Sequence, residues 1–161
     1  MNTSTNVIGN LIARSGLRKP SLQKDRRRAK RYRMDVPASF RIYPPSRPEH
    51  SSAYLPAQVF DLSKLAMGLF ADNVECGGVH IMHPWPVTSE QCLLEIKIQH
   101  SEPALTLKGK VVWYSQQEDE EPYCFRIGIE LLDVTPETKE GIRKLIDLKA
   151  SASDVSPSAP E

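Results

Sequence analysis

Apolar residues recur at every second position through much of this chain, and that spacing limits the fold more than any other feature. In 92–99, Leu94, Ile96 and Ile98 fall on one side while Glu95, Lys97 and Gln99 fall on the other. In 124–132, Phe125, Ile127, Ile129 and Leu131 repeat the pattern, and 105–114 alternates before Val111, Val112 and Trp113. Side chains two apart share one face of a β-strand, so each segment reads as a strand with one buried face. Shorter apolar stretches at 38–43, 58–62 and 67–71 add three more, with Pro37 opening the first.

The period changes only once. Over 135–149, Thr135 suits a helix N-cap, Pro136 the first position and Glu137 the positive end of the helix dipole. Ile142, Leu145 and Ile146 then form a narrow apolar stripe, interrupted by Gly141 at about 1 kcal/mol relative to alanine. Several short strands and one terminal helix predict a mainly β domain, a small antiparallel barrel or sandwich with the helix packed beside it.

The flanks differ in composition. Residues 1–25 are largely polar, with one short apolar patch at Val7, Ile8, Leu11 and Ile12, and are expected to form a flexible or weakly helical extension. The run SASDVSPSAPE beyond Ala150 is expected to be a disordered tail over 150–161, leaving 26–149 as the folded domain. No apolar run nears the roughly 18 residues of a membrane span, and the first dozen residues lack the pattern of a secretory signal, so the cytoplasm is the expected compartment. Three cysteines, Cys76, Cys92 and Cys124, are too scattered for a disulfide framework. Cys92 and Cys124 fall in expected strands and read as small core residues, as does Trp113. Cys76, His80 and His83 lack a fourth zinc ligand nearby, so no metal or other cofactor is expected.

The net charge of +1 hides a strong asymmetry. Basic residues crowd 14–33 with Asp25 as the one acid among them, whereas Glu118, Asp119, Glu120 and Glu121 make a solvated acidic tip later on. An anionic partner near the N-terminal end is therefore expected. Two clusters carry candidate chemistry. The first is Arg26-Arg27-Arg28-Ala29-Lys30-Arg31-Tyr32-Arg33, ahead of the first strand; the second is Asp61-Leu62-Ser63-Lys64-Leu65-Ala66-Met67-Gly68, between two strands. Guanidinium forks match phosphate oxygens and the acceptor edge of guanine, and an aspartate offers acceptors to the N–H edge of that base. Asp61 and Ser63 could equally serve only their own turn, bonding local backbone. No nucleophile-and-base arrangement and no phosphate-cradling glycine loop is present, so a binding role rather than an enzymatic one is expected.

Together these motifs resemble the PilZ family. Arg27 and Arg31 fit its Arg-x-x-x-Arg motif, Asp61 and Ser63 its Asp-x-Ser-x-x-Gly motif, Gly109-Lys110-Val111-Val112-Trp113 its Gly-x-Val-x-Trp strand, and Arg126–Leu131 its closing strand. Ala66 departs from the pattern, standing where the family has glycine; a positive φ there would strain alanine by about 1 kcal/mol. The resemblance implies a six-stranded antiparallel β-barrel with a C-terminal α-helix, and a receptor for cyclic di-GMP. Arg27 and Arg31 would contact phosphates and guanines, Asp61 and Ser63 would fix a guanine, and Arg26 would serve a stacked ligand dimer. Ligand binding would order the Arg-rich loop and signal to an unidentified downstream protein. A ligand-independent adaptor of the same fold is the alternative, and a basic nucleic-acid-binding barrel is a third reading.

Overall fold

The computed structural model describes residues 28–82, 91–100, 104–118 and 122–153. Six strands close into an antiparallel barrel in the order β1-β2-β3-β8-β7-β6, with β6 returning to β1. These are β1 (Tyr32–Tyr43), β2 (Leu55–Leu62), β3 (Ala66–Ala71), β6 (Leu93–Ile98), β7 (Leu105–Gln116) and β8 (Phe125–Leu132). Closure pairs each strand on both sides along part of its length, and the inward residues of every strand meet in one core. Phe40, Ile42, Met67, Leu69, Leu94, Ile96, Ile98, Ile127 and Ile129 are all buried there, as the alternation requires. A small hairpin, β4 (Glu75–Cys76) with β5 (Val79–His80), sits outside the barrel. Gly77 and Gly78 make its tight turn with φ of 60° and 78°, a conformation that other residues resist.

Helix α1 (Pro136–Ser153) begins where the capping residues place it: the Thr138 N–H donates to Thr135 Oγ1 at 3.2 Å. Its face packs onto the barrel through Ile142 and Leu145, both buried, each contributing roughly 1.5–3 kcal/mol. Lys149 Nζ bonds the Asp35 carbonyl oxygen at 3.2 Å, tying the far end of the helix to β1. Gly141 allows the close approach at the other side, since a Cβ there would lie 2.7 Å from Leu105 Cδ1.

The strand limits differ from the sequence expectation in instructive ways. β1 starts at Tyr32, six residues before the expected 38, because Met34 and Val36 already alternate inward beneath the basic run. Pro37 therefore lies inside β1, opposite Gln58, instead of opening the strand. Pairing with β6 begins only at Ala38, so one side of β1 is open at Pro37 and its missing N–H is spared. The helix runs through Ser153, beyond the expected limit at Lys149; Ala150 and Ala152 are good helix formers and Ser151 Oγ bonds the Asp147 carbonyl at 3.0 Å. Cys92 is buried as expected, but Cys124 is exposed just ahead of β8. The expected extension 1–25 and the tail from 154 onward lie outside the described residues, as do Arg26, Arg27 and His83.

Candidate functional site

The two clusters meet. Arg31 Nη1 stands 3.2 Å from Asp61 Oδ2, bridging thirty positions of sequence and joining the arm before β1 to the end of β2. The register adds a second guanidinium, because Arg33 pairs directly with Asp61 across the two strands and cross-strand partners project to the same side. Sequence reading counted Arg33 in the basic run without placing it at the site; only the register reveals it.

A bulge sets the direction of Asp61. Val59 and Leu62 both point into the core, with Phe60 and Asp61 between them, so strict alternation fails. The ladder slips at this point: Val59 pairs with Leu69 and Asp61 with Gly68, two residues on β2 facing one on β3. Such an insertion turns both side chains outward, which is how a strand residue reaches the barrel surface beside its neighbour. Asp61 ends up half-buried, with Oδ1 shielded and without a hydrogen-bond partner among the described residues.

Ser63 has a different part. Its Oγ accepts from the N–H groups of Leu65 at 3.2 Å and Ala66 at 3.0 Å, and donates to the Ala66 carbonyl at 3.1 Å. A hydroxyl has one proton and two lone pairs, so these three bonds use its full capacity. With 2% exposure, Ser63 shapes the turn that holds Asp61 outward. Ala66 carries no strain: among the described residues only Asp133, Gly77 and Gly78 have positive φ, and Ala66 simply opens β3 opposite Glu130. The glycine-specific penalty anticipated for that position does not arise.

Next to Asp61 the outer wall is aromatic. Phe60 lies over Gly68, where an added Cβ would sit 2.3 Å from its Cζ; Trp113 lies over Gly128, where the same atom would be 2.2 Å from Nε1. Gly68 and Gly128 are cross-strand partners, so two large rings cover one small depression. Trp113 is thus 40% exposed and not a core residue. A slip in β7 between Val111 and Trp113 turns it outward, and a strict two-residue count missed it for that reason. The Arg126 guanidinium sits 4.7 Å above the Phe60 ring, and Phe70 stacks on Tyr123 at 5.5 Å. The Tyr123 hydroxyl in turn donates to the side-chain oxygen of Gln58. Cation and ring faces of this kind offer stacking surfaces for a flat heterocycle.

The sequence matches the family described as "PilZ domain" over residues 25–148. The chain belongs to the PilZ family. Similar solved structures include the PilZ domain with c-di-GMP of YcgR from Escherichia coli, at TM-score 0.53 and 15% identity, covering 81% of this chain and 99% of that one. The complex of MrkH with c-di-GMP from K. pneumonia gives TM-score 0.54 at 15% identity, covering 81% and 56%. YcgR in complex with c-di-GMP gives 0.51 at 17%, covering 80% and 48%, so this PilZ chain spans about half the length of the latter two proteins. At these identities the likeness establishes the fold, the closed six-stranded barrel with its terminal helix. A comparison with curated proteins finds no match. No described helix of this PilZ chain is long and apolar enough to cross a membrane.

Proposed function

We propose that this protein is a cyclic di-GMP receptor in which the Arg-rich arm and the Asp61 turn grip one ligand. The observation that carries the reading is the 3.2 Å contact between Arg31 and Asp61, since it gathers phosphate-seeking and guanine-seeking groups at one place on the barrel wall. Family membership supports it, as do the three similar structures solved with c-di-GMP. In this reading Arg27 and Arg31 engage phosphates and guanine faces, Asp61 accepts from a guanine N–H edge, and Arg26 assists a second stacked ligand. Ser63 acts as a positioning residue, its hydroxyl committed to the turn.

The mechanism is ordering of the arm. Guanidinium groups crowded on a short segment repel one another, and a dianionic ligand relieves that repulsion while bridging them to Asp61. Ligand shifts the arm only through its preference for the closed arrangement, which then displays or conceals a surface for a downstream protein. Calorimetric titration tests this. Arg31→Ala and Arg27→Ala should each weaken cyclic di-GMP binding about 10- to 100-fold, the worth of one hydrogen-bonded charge, with the circular-dichroism spectrum unchanged. Unchanged affinity in both variants rules out this site.

The same ion pair favours one competing reading. Arg31 and Asp61 already pair with each other, so the barrel could serve as an adaptor that docks on a protein without ligand. Absence of any heat with cyclic di-GMP up to millimolar concentration would select that reading.

A further inference from the structure

The arm has a second face. Arg28, Lys30 and Tyr32 alternate with Arg31, and while Arg31 turns to the barrel wall, those three line a cleft of about 450 Å³ against helix α1. Lys64, from the turn between β2 and β3, and Lys139, from the first turns of the helix, join the polar lining. Tyr32, Ile142 and Ile146 supply the apolar part. Three chain segments distant in sequence thus bring their cations to one hollow.

What matters is which of these charges are already answered. Arg143 also lines the cleft, but Glu140 holds it at 2.6 and 2.9 Å and Asp147 at 2.8 Å. Asp147, the one acid among the described lining residues, is thereby spoken for. Lys30 rests over the Tyr32 ring at 5.1 Å. Arg28, Lys64 and Lys139 have no carboxylate partner among the described residues. Like charges gathered without counter-charge repel, and the arrangement gains most from a bound anion.

We propose that Lys64 and Lys139, with Arg28, form an anion seat for a phosphodiester group of the ligand, so that helix α1 is part of the binding site. The inference deepens the receptor reading and rests on its phosphate-bearing ligand; it adds two lysines that lie outside the arginine motif and the Asp-x-Ser pair. Because one seat residue belongs to the helix, ligand binding clamps the helix to the arm.

The experiment compares wild type with the double variant Lys64→Gln/Lys139→Gln, and with Lys108→Gln as a control for general charge. Lys108 is exposed on β7, opposite Leu132, and outside the cleft. Cyclic di-GMP affinity is measured by calorimetry, and inorganic pyrophosphate is titrated separately while the Cε resonances of Lys64 and Lys139 are followed. The expected result is a loss of about five- to tenfold in the double variant, none in Lys108→Gln, and pyrophosphate-induced shifts at both lysines. Cyclic di-GMP binding that is equal in wild type and double variant overturns the seat and leaves the receptor reading intact. An equal loss in Lys108→Gln overturns it too, since the effect is then one of overall charge. Absence of cyclic di-GMP binding to wild type, with pyrophosphate still shifting both lysines, overturns the receptor reading and with it the phosphodiester assignment, leaving a site for inorganic anions alone. Silence toward both probes overturns both.

Discussion

Removing Arg31 should cost more stability than removing Asp61, although either change breaks the same 3.2 Å contact. The side chains are 27% and 18% exposed, so the pair itself is worth about 0.5–1 kcal/mol after solvent screening. The difference lies in what each deletion leaves behind. Arg31→Ala strands Oδ2 of a carboxylate whose Oδ1 is already shielded and unpartnered, adding about 1–2 kcal/mol for the newly uncompensated acceptor. Arg33, across the strand from Asp61, is exposed and makes no ion pair with it. Asp61→Ala removes the carboxylate altogether, and with it the penalty of Oδ1, while Arg31 turns to solvent. Arg31→Ala should therefore destabilise by about 1.5–3 kcal/mol, and Asp61→Ala should change stability by no more than about 0.5 kcal/mol. Urea unfolding at pH 7 reads this directly: with a slope of about 2 kcal/mol/M, the Arg31→Ala midpoint falls by about 1 M. The double variant should match Asp61→Ala, because nothing remains for the second deletion to strand. Equal losses in both single variants, or a larger one for Asp61→Ala, would refute the view that Asp61 is retained at the expense of stability.

Two glycines should respond differently to alanine. At Gly109 the new Cβ meets Ile129 Cγ2 at 2.3 Å and the Glu130 carbonyl oxygen at 2.8 Å, neither free to move, so about 1–3 kcal/mol is lost in a urea melt. At Gly128 it meets only the half-exposed Trp113 indole, which can swing outward; stability should fall less, and tryptophan emission should shift to the red in a Trp85→Phe background. Glu95 offers a pH test. The Tyr54 hydroxyl, donating to its carboxylate, holds that carboxyl below the ordinary range; burial opposes this, and Arg41 and Lys97 add to the lowering. A carboxyl depressed in the folded state adds stability above its unfolded pKa, and that contribution is lost as pH falls through the folded value. Tyr54→Phe should therefore raise the Glu95 titration midpoint followed by NMR, and its stability deficit should shrink in acid.

Much of the barrel was legible because burial on one face enforces a period of two. Leu94, Ile96 and Ile98 and the run Ile127, Ile129, Leu131 declared their strands in this way, and Thr135 declared the helix start through its capping chemistry. The order of the arginine cluster and the Asp61 turn was also readable. Hidden from the sequence were the three points where the ladder slips, in β1, β2 and β7. A bulge adds one residue and reverses every inside-or-outside assignment beyond it, which is why Trp113 read as core and Phe60 drew no notice. The function of Ser63 was equally hidden. Its hydroxyl can serve a ligand or its own turn, and only the structure shows it bonded to the Leu65 and Ala66 amides of that turn. Hairpin β4–β5 is two residues a side, too short for any periodic signal.

Amide hydrogen exchange with and without cyclic di-GMP tests most directly whether the arm and the Asp61 turn make one site. The account predicts slower exchange on ligand addition in 28–33 and 61–66 together, with 136–143 of the helix following. Protection confined to another part of the barrel, or an exchange pattern that cyclic di-GMP leaves untouched, would contradict it.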